Sequence, residues 1–309
     1  MESSQRPLAR MRNQAVIELT FASVLWGFGF VAVVWSLRSM GPLSISGWRF
    51  LIAAAAGFGI MLFAKRLPLR ENSEALRLAA VPGLLLSTMV ILQTWGLKYT
   101  TTAKSGFITT LYVLMVPLIE GFFLNKKIPR SLILAVLIAL IGVALICNLP
   151  NELLGAPTGD KGSWNFGDLL TFACAIMASL HIIWFGVIRD RIGDPFIFNN
   201  FQSLWAGLPA LLLAFILEPF TLPSWSDYSL IGLIALSLGS SLVAFALQVK
   251  AQKVLSPSFA SLLFLLESPF AALFGFWLLD ETLNGFQVAG ATLILAATGL
   301  ATLAGAHES

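Results

Sequence analysis

Glu267 is the residue whose chemistry is hardest to explain as filler. It lies near the middle of an apolar run, 257–279, and Pro269 removes a backbone donor two residues later. A carboxylate at mid-depth in hydrocarbon is expensive unless paired, wetted or protonated. Proton exchange against solute binding is the chemistry it suits; the bland alternative is a neutral acid bonded to a carbonyl freed near Pro269. Arg49, about six residues inside a second run, offers a fork that grips a carboxylate with two parallel hydrogen bonds or pairs with Glu267. It could also snorkel to the interface. His181 can carry a proton near neutral pH, or simply be satisfied by a neighbouring helix. Trp26 sits at mid-run, where it stacks on an organic solute or packs as a core indole. Tyr112, Gln93, Ser240 and Ser241 have the depth to line a cavity, and Gln202, Thr94, Asn199, Asn200, Ser237 and Gln248 are further polar candidates. Gly27, Pro117, Pro269 and Glu281 read as hinge or structural motif positions. Glu18 and Glu120, nearer the ends of their runs, suit pairing with basic loops as well as a gate.

No other chemistry has a pattern. Walker and dinucleotide glycine fingerprints are missing, the His, Cys and carboxylate spacings fit no zinc, haem or iron–sulfur site, and no nucleophile–base pair stands out. Hence no enzyme, cofactor or metal is expected. Cys147 and Cys174 read as apolar filler. The net charge of +3 is small beside the apolar mass and gives no reason to expect nucleic acid.

The elements that position these residues follow from composition. The chain has 309 residues, 57% hydrophobic and 11% charged, with mean hydropathy +0.84. Soluble proteins carry roughly 25% charged residues, so a water-facing surface could not be covered. Apolar runs at 15–37, 43–64, 75–96, 103–124, 130–148, 167–188, 196–217, 229–249, 257–279 and 285–304 each approach the length of a membrane helix. They are about twice as long as barrel strands and do not alternate. With the N-terminus in the cytoplasm, 14 Lys and Arg fall on inner loops and 4, among them Lys98 and Lys104, on outer ones. Ten spans then place both termini in the cytoplasm. The first run lacks a cleavage pattern and reads as a retained span. Tryptophans 48, 95, 164, 225 and 277 fall near interfaces, as an aromatic belt.

The chain also repeats. Gly41 and Gly193, and Pro117 and Pro269, are 152 residues apart; Gln93 and Gln248, and Lys98 and Lys253, are 155 apart. The 152 offset puts Met115 at the position of Glu267. Five runs per half, an odd number, make the second half enter the membrane from the opposite side, which is an inverted-topology repeat. The expected organisation is a tail at 1–14, a five-helix repeat at 15–148, an external linker at 149–166, a second repeat at 167–304 and a tail at 305–309.

Several stretches together resemble the EamA-type transporters of the drug/metabolite transporter superfamily. They are Trp26-Gly27-Phe28-Gly29-Phe30, Arg49-Phe50, Tyr99-Thr100-Thr101-Thr102-Ala103, Leu111-Tyr112-Val113-Leu114-Met115-Val116-Pro117, Glu267-Ser268-Pro269-Phe270-Ala271-Ala272 and Leu279-Asp280-Glu281-Thr282-Leu283. The resemblance covers about 15–304. It implies a ten-helix secondary carrier that moves small organic solutes such as amino acids, often outward, as a monomer or homodimer without a cofactor. It maps motif positions onto Trp26, Gly27, Pro117, Glu267, Pro269 and Glu281, and it suggests a bacterial inner membrane. The expected mechanism is alternating access with a proton as coupling ion, the other partners being membrane lipids. The alternatives are a facilitative uniporter or importer, and a membrane scaffold or receptor.

Overall fold

The computed structural model describes residues 2–64, 72–123, 130–146 and 164–306. These residues form helices α1 (Glu2–Ser36), α2 (Pro42–Phe63), α3 (Asn72–Leu78), α4 (Ala80–Gly96), α5 (Thr102–Thr109), α6 (Tyr112–Phe123) and α7 (Arg130–Ile146). There follow α8 (Phe166–Ile188), α9 (Pro195–Leu217), α10 (Ser229–Ile234), α11 (Phe245–Gln252), α12 (Pro257–Phe264), α13 (Glu267–Leu279) and α14 (Gly285–Ala306). A π-helical segment, Ala235–Ala244, joins α10 to α11. Among the described residues, six helical stretches are long and apolar enough to cross a membrane: Met11–Ser36, Pro42–Phe63, Thr102–Phe122, Phe166–Arg191, Pro195–Leu217 and Ser229–Gln252. Ala80–Gly96, Ile133–Ile146, Glu267–Leu279 and Gly285–Ala297 are shorter apolar helices. The chain is an all-α polytopic membrane protein. Lipid offers no partners to the backbone, so helices that satisfy themselves are what such a composition can build. Phe63, Phe122, Val187 and Ile216 face outward, as lipid contact requires, while Ala and Ser crowd the interior. The linker expected at 149–166 lies outside the described residues up to 163, as do Cys147, Lys65, Arg66, Arg70, Lys126, Lys127, Lys161 and His307.

Four of the expected runs are not single regular helices. The third divides at Ala79, because Pro82 has no N–H to give the Leu78 carbonyl. The ninth breaks between α12 and α13 for the same reason. Pro269 cannot bond Leu265 O, which accepts instead from Ser268 N (3.2 Å) and Ser268 Oγ (3.1 Å). The fourth breaks between α5 and α6, where Thr110 Oγ1 donates to Phe107 O (2.7 Å) and the backbone tightens to three-residue bonds such as Leu111 N to Ile108 O (3.1 Å). The eighth is widened by the π segment. Helices α5 and α12, and the starts of α6 and α13, are 155 residues apart. Tyr112, not Met115, therefore occupies the place of Glu267, and each of the two is the first residue after a mid-helix break.

The tightest packing joins early to late parts of the chain: α2 to α9, α7 to α14, α4 to α8, and α1 to α13. Small residues allow this, as expected where lipid supplies no hydrophobic drive between helices. A Cβ on Gly142 would lie 2.9 Å from Gly290 O. A Cβ on Gly27 would meet Phe270 Cβ at 2.5 Å, and Glu267 O and Ala271 N at 3.0 Å. Two of those neighbours are backbone and cannot swing aside. Gly27→Val is thus expected to prise α1 from α13 at a cost of about 1–3 kcal/mol, read as a lower midpoint in thermal unfolding of the detergent-solubilised protein. An unchanged midpoint would mean that the two helices are free to separate.

Candidate functional site

Between the packed helices lies a cavity of about 60 Å³, lined among others by Trp26, Phe30, Arg49, Gln93, Tyr112, His181, Ser240, Phe245, Gln248, Phe264 and Glu267. Several aromatic rings stand in its walls. The Trp26 ring centroid is 5.1 Å from that of Phe245 and 5.2 Å from that of Phe264, and Tyr112 packs edge-on to Phe264 at 6.4 Å. His181 abuts Phe185 at 4.9 Å.

Opposite charges enter this apolar space from two sides. Arg49, on α2, is buried, and its Nε donates to Ser241 Oγ (2.9 Å) in the π segment. Glu267 opens α13, where a negative side chain suits the helix dipole. The two charges act on each other electrostatically, yet no ion pair joins them among the described residues. A gap between an anchored guanidinium and a carboxylate is what a small solute with charged groups can bridge. Trp26 Nε1 and Tyr112 Oη are buried without a hydrogen-bond partner among the described residues, and with His181 they supply further polar contacts. Each unmade bond costs about 1–3 kcal/mol, so the arrangement favours an occupant with acceptors.

Most of the residues singled out by sequence thus converge: Trp26, Arg49, Gln93, Tyr112, His181, Ser240 and Glu267 line one cavity. Ser241 stands behind it, holding Arg49. Gln202 stands beside His181 on α9, outside the lining, with its amide directed at that imidazole. Gly27 is a contact point of α1 with α13. Pro117 lies inside α6, and Pro269 inside α13.

Glu281 acts away from the cavity. Its carboxylate accepts from Thr102 N (2.9 Å), Ala103 N (3.3 Å) and Thr102 Oγ1, and so caps α5. Glu218 does the same for α2, accepting from Leu43 N and Ser44 N (2.8 Å each). Orphan N–H groups of two early helices are satisfied by carboxylates from late ones. A third late carboxylate, Asp168, accepts from Lys104 Nζ (2.7 Å) and Thr100 Oγ1 (2.6 Å), with both charged side chains fully buried. This corrects the placing of Lys104 in an open loop: it is inside the protein because Asp168 neutralises it. Asp168 and Glu218 were missed in the sequence. Asn165 and Asp168 form a capping box, and that three-residue spacing was the available signal. The opposite helix ends are tied by early carboxylates instead. Glu18 pairs with Lys250, Glu74 with Arg191 (3.7 Å), and Glu120 accepts from Ser258 Oγ (2.7 Å).

The comparisons with known proteins bear on this geometry. Residues 14–148 and 165–303 each match the model of the EamA-like transporter family. The chain is 26% identical over 294 residues to an uncharacterized transporter of Archaeoglobus fulgidus, covering 94% of this chain and 87% of that protein. It is 24% identical to the uncharacterized transporter YoaV of Bacillus subtilis (91% and 94% covered), and 24% identical to Protein PecM of Dickeya dadantii (90% and 88%). Among solved structures, a crystal structure aligns with TM-score 0.64 at 20% identity, over 94% of this chain and 97% of that one, a likeness that shows a shared fold.

Proposed function

Because the chain belongs to the EamA-like transporter family and is a transporter of small molecules across a membrane, we propose that it exports small organic metabolites such as amino acids by alternating access, coupled to protons. The observation that carries this reading is the cavity itself, with aromatic rings in its wall, Arg49 held on one side and Glu267 on the other. Arg49 grips an anionic group of the solute, Trp26 and Tyr112 cover its apolar part, and Glu267 exchanges a proton as the solute binds or leaves.

In this reading ten spans form two five-helix repeats of opposite topology, with both termini in the cytoplasm. The recurrence of the helix breaks at 155 residues and the double match to the family model support it. The outer gate is the set formed by Asp168, Glu218 and Glu281, and the inner gate the set formed by Glu18, Glu74 and Glu120. One half of the chain donates its carboxylates at each gate, so opening one end costs contacts of the same kind that closing the other end regains. The chain works as a monomer or homodimer in a bacterial inner membrane.

The test is flux through purified protein in liposomes loaded with a mixed pool of amino acids and small metabolites, under an imposed pH gradient. Mass spectrometry should record selective, saturable release. Glu267→Gln should retain exchange of labelled for unlabelled solute while release loses its dependence on the pH gradient. Wild-type release indifferent to the gradient would mark a facilitative carrier. No release from folded, correctly inserted protein would sink the export reading.

A further inference from the structure

Arg49 is held in place by a chain of contacts that begins on a different helix. The π segment Ala235–Ala244 carries five-residue bonds, the last of them from Phe245 N to Ser240 O. Where such a ladder returns to four-residue spacing, carbonyl oxygens lose their regular donor. Asn199, on α9, is buried there and donates from Nδ2 to Ser241 O (3.1 Å) and Leu242 O (3.2 Å). Ser241 then presents its hydroxyl to Arg49 Nε at 2.9 Å, leaving the terminal nitrogens of the guanidinium for the cavity. Three helices thereby fix one side chain: α9 holds the π segment in its wide form, and the π segment aims the arginine of α2.

We propose that Asn199 is a positioning residue for anion recognition, acting on Arg49 through the π-helical register of Ser241. A regular α-helix here would rotate Ser241 relative to α2 and supply its own donor to Ser241 O, so the amide of Asn199 and the hydroxyl of Ser241 stand or fall together. The solute-facing role of Arg49 rests on the transport reading above; the hold of Asn199 on Arg49 does not, and can be measured without any solute.

The experiment uses the full chain labelled with 15N-arginine in lipid nanodiscs. The Nε–H signal of Arg49, identified by its loss in Arg49→Lys, is followed by its exchange with solvent. In the wild type the bond to Ser241 should slow that exchange. Ser241→Ala should speed it at least tenfold and Ser241→Thr, which keeps the hydroxyl, should restore the slow rate. Asn199→Leu, similar in shape but without a donor, should reproduce the Ser241→Ala rate while helix content and gel-filtration elution stay as in the wild type. Slow exchange in a folded Asn199→Leu protein would overturn the proposal. If Asn199→Leu does not fold, Asn199→Ser takes its place: its shorter side chain cannot span both carbonyls, and unchanged slow exchange would count equally against the proposal. Failure of the transport reading would show differently, as normal Arg49 protection in a protein that moves no solute.

Discussion

Asp168→Asn is expected to destabilise the protein by about 3–5 kcal/mol, because it removes one charged partner of a fully buried, hydrogen-bonded ion pair. Neither side chain reaches solvent, and Lys104 Nζ lies 2.7 Å from Asp168 Oδ2. Asparagine keeps an oxygen for Thr100 but turns a donor toward Lys104 Nζ and Asn165 N, so the bond to Asn165 N (3.1 Å) is lost along with the charge. Asp168→Asn with Lys104→Met should recover most of the deficit, since an apolar replacement of a whole buried pair is often neutral or stabilising. Reversible unfolding by denaturing detergent measures all three proteins. The exposed pair of Arg189 and Asp190 is the internal control, where Asp190→Asn should shift stability by less than about 1 kcal/mol. If Asp168→Asn behaves like that control, water reaches the pair.

Arg49→Gln is the second large effect. It should raise the half-saturation concentration for solutes carrying an anionic group by about a hundredfold, the scale expected when one partner of a buried, hydrogen-bonded charge pair is cut away at roughly 2–5 kcal/mol. Maximal exchange rate should change much less, because in the proposed mechanism the gates do not involve Arg49. Arg49→Lys should recover only part of the affinity: a point charge lacks the fork that bonds Ser241 while addressing the solute. Arg49→Gln also leaves Glu267 without its opposing charge, so the double change with Glu267→Gln separates loss of the grip from stranding of the carboxylate. Exchange measured against the released solutes decides it; wild-type affinity in Arg49→Gln would make the arginine a structural group.

Composition and run length made the helical membrane class plain, and depth along the runs marked Trp26, Arg49, Tyr112, His181 and Glu267. These are residues whose polarity is anomalous for their surroundings, and such anomalies are visible one position at a time. Harder to see was what depends on pairs. Lys104 looked like a loop charge because Asp168 is 64 residues away. Glu281 was marked as a motif position with no task, and Glu218 passed unnoticed, because capping a distant helix leaves no local pattern. The break before Tyr112 lacks the proline that explains the break before Glu267. An alignment anchored on Pro117 and Pro269 therefore slipped by three residues, and the helix bounds restored the pairing of Tyr112 with Glu267.

The widened turns of Ala235–Ala244 have a consequence for how such chains diverge. A wide helix uses more residues per turn than a regular one. A relative that straightens this segment must therefore lose residues inside a membrane helix, where the flanking turns stay fixed in the bilayer. Length differences between relatives ordinarily collect in loops. Here they should also fall in the middle of an apolar span, and where they do, the counterparts of Asn199 and Ser241 should change with them.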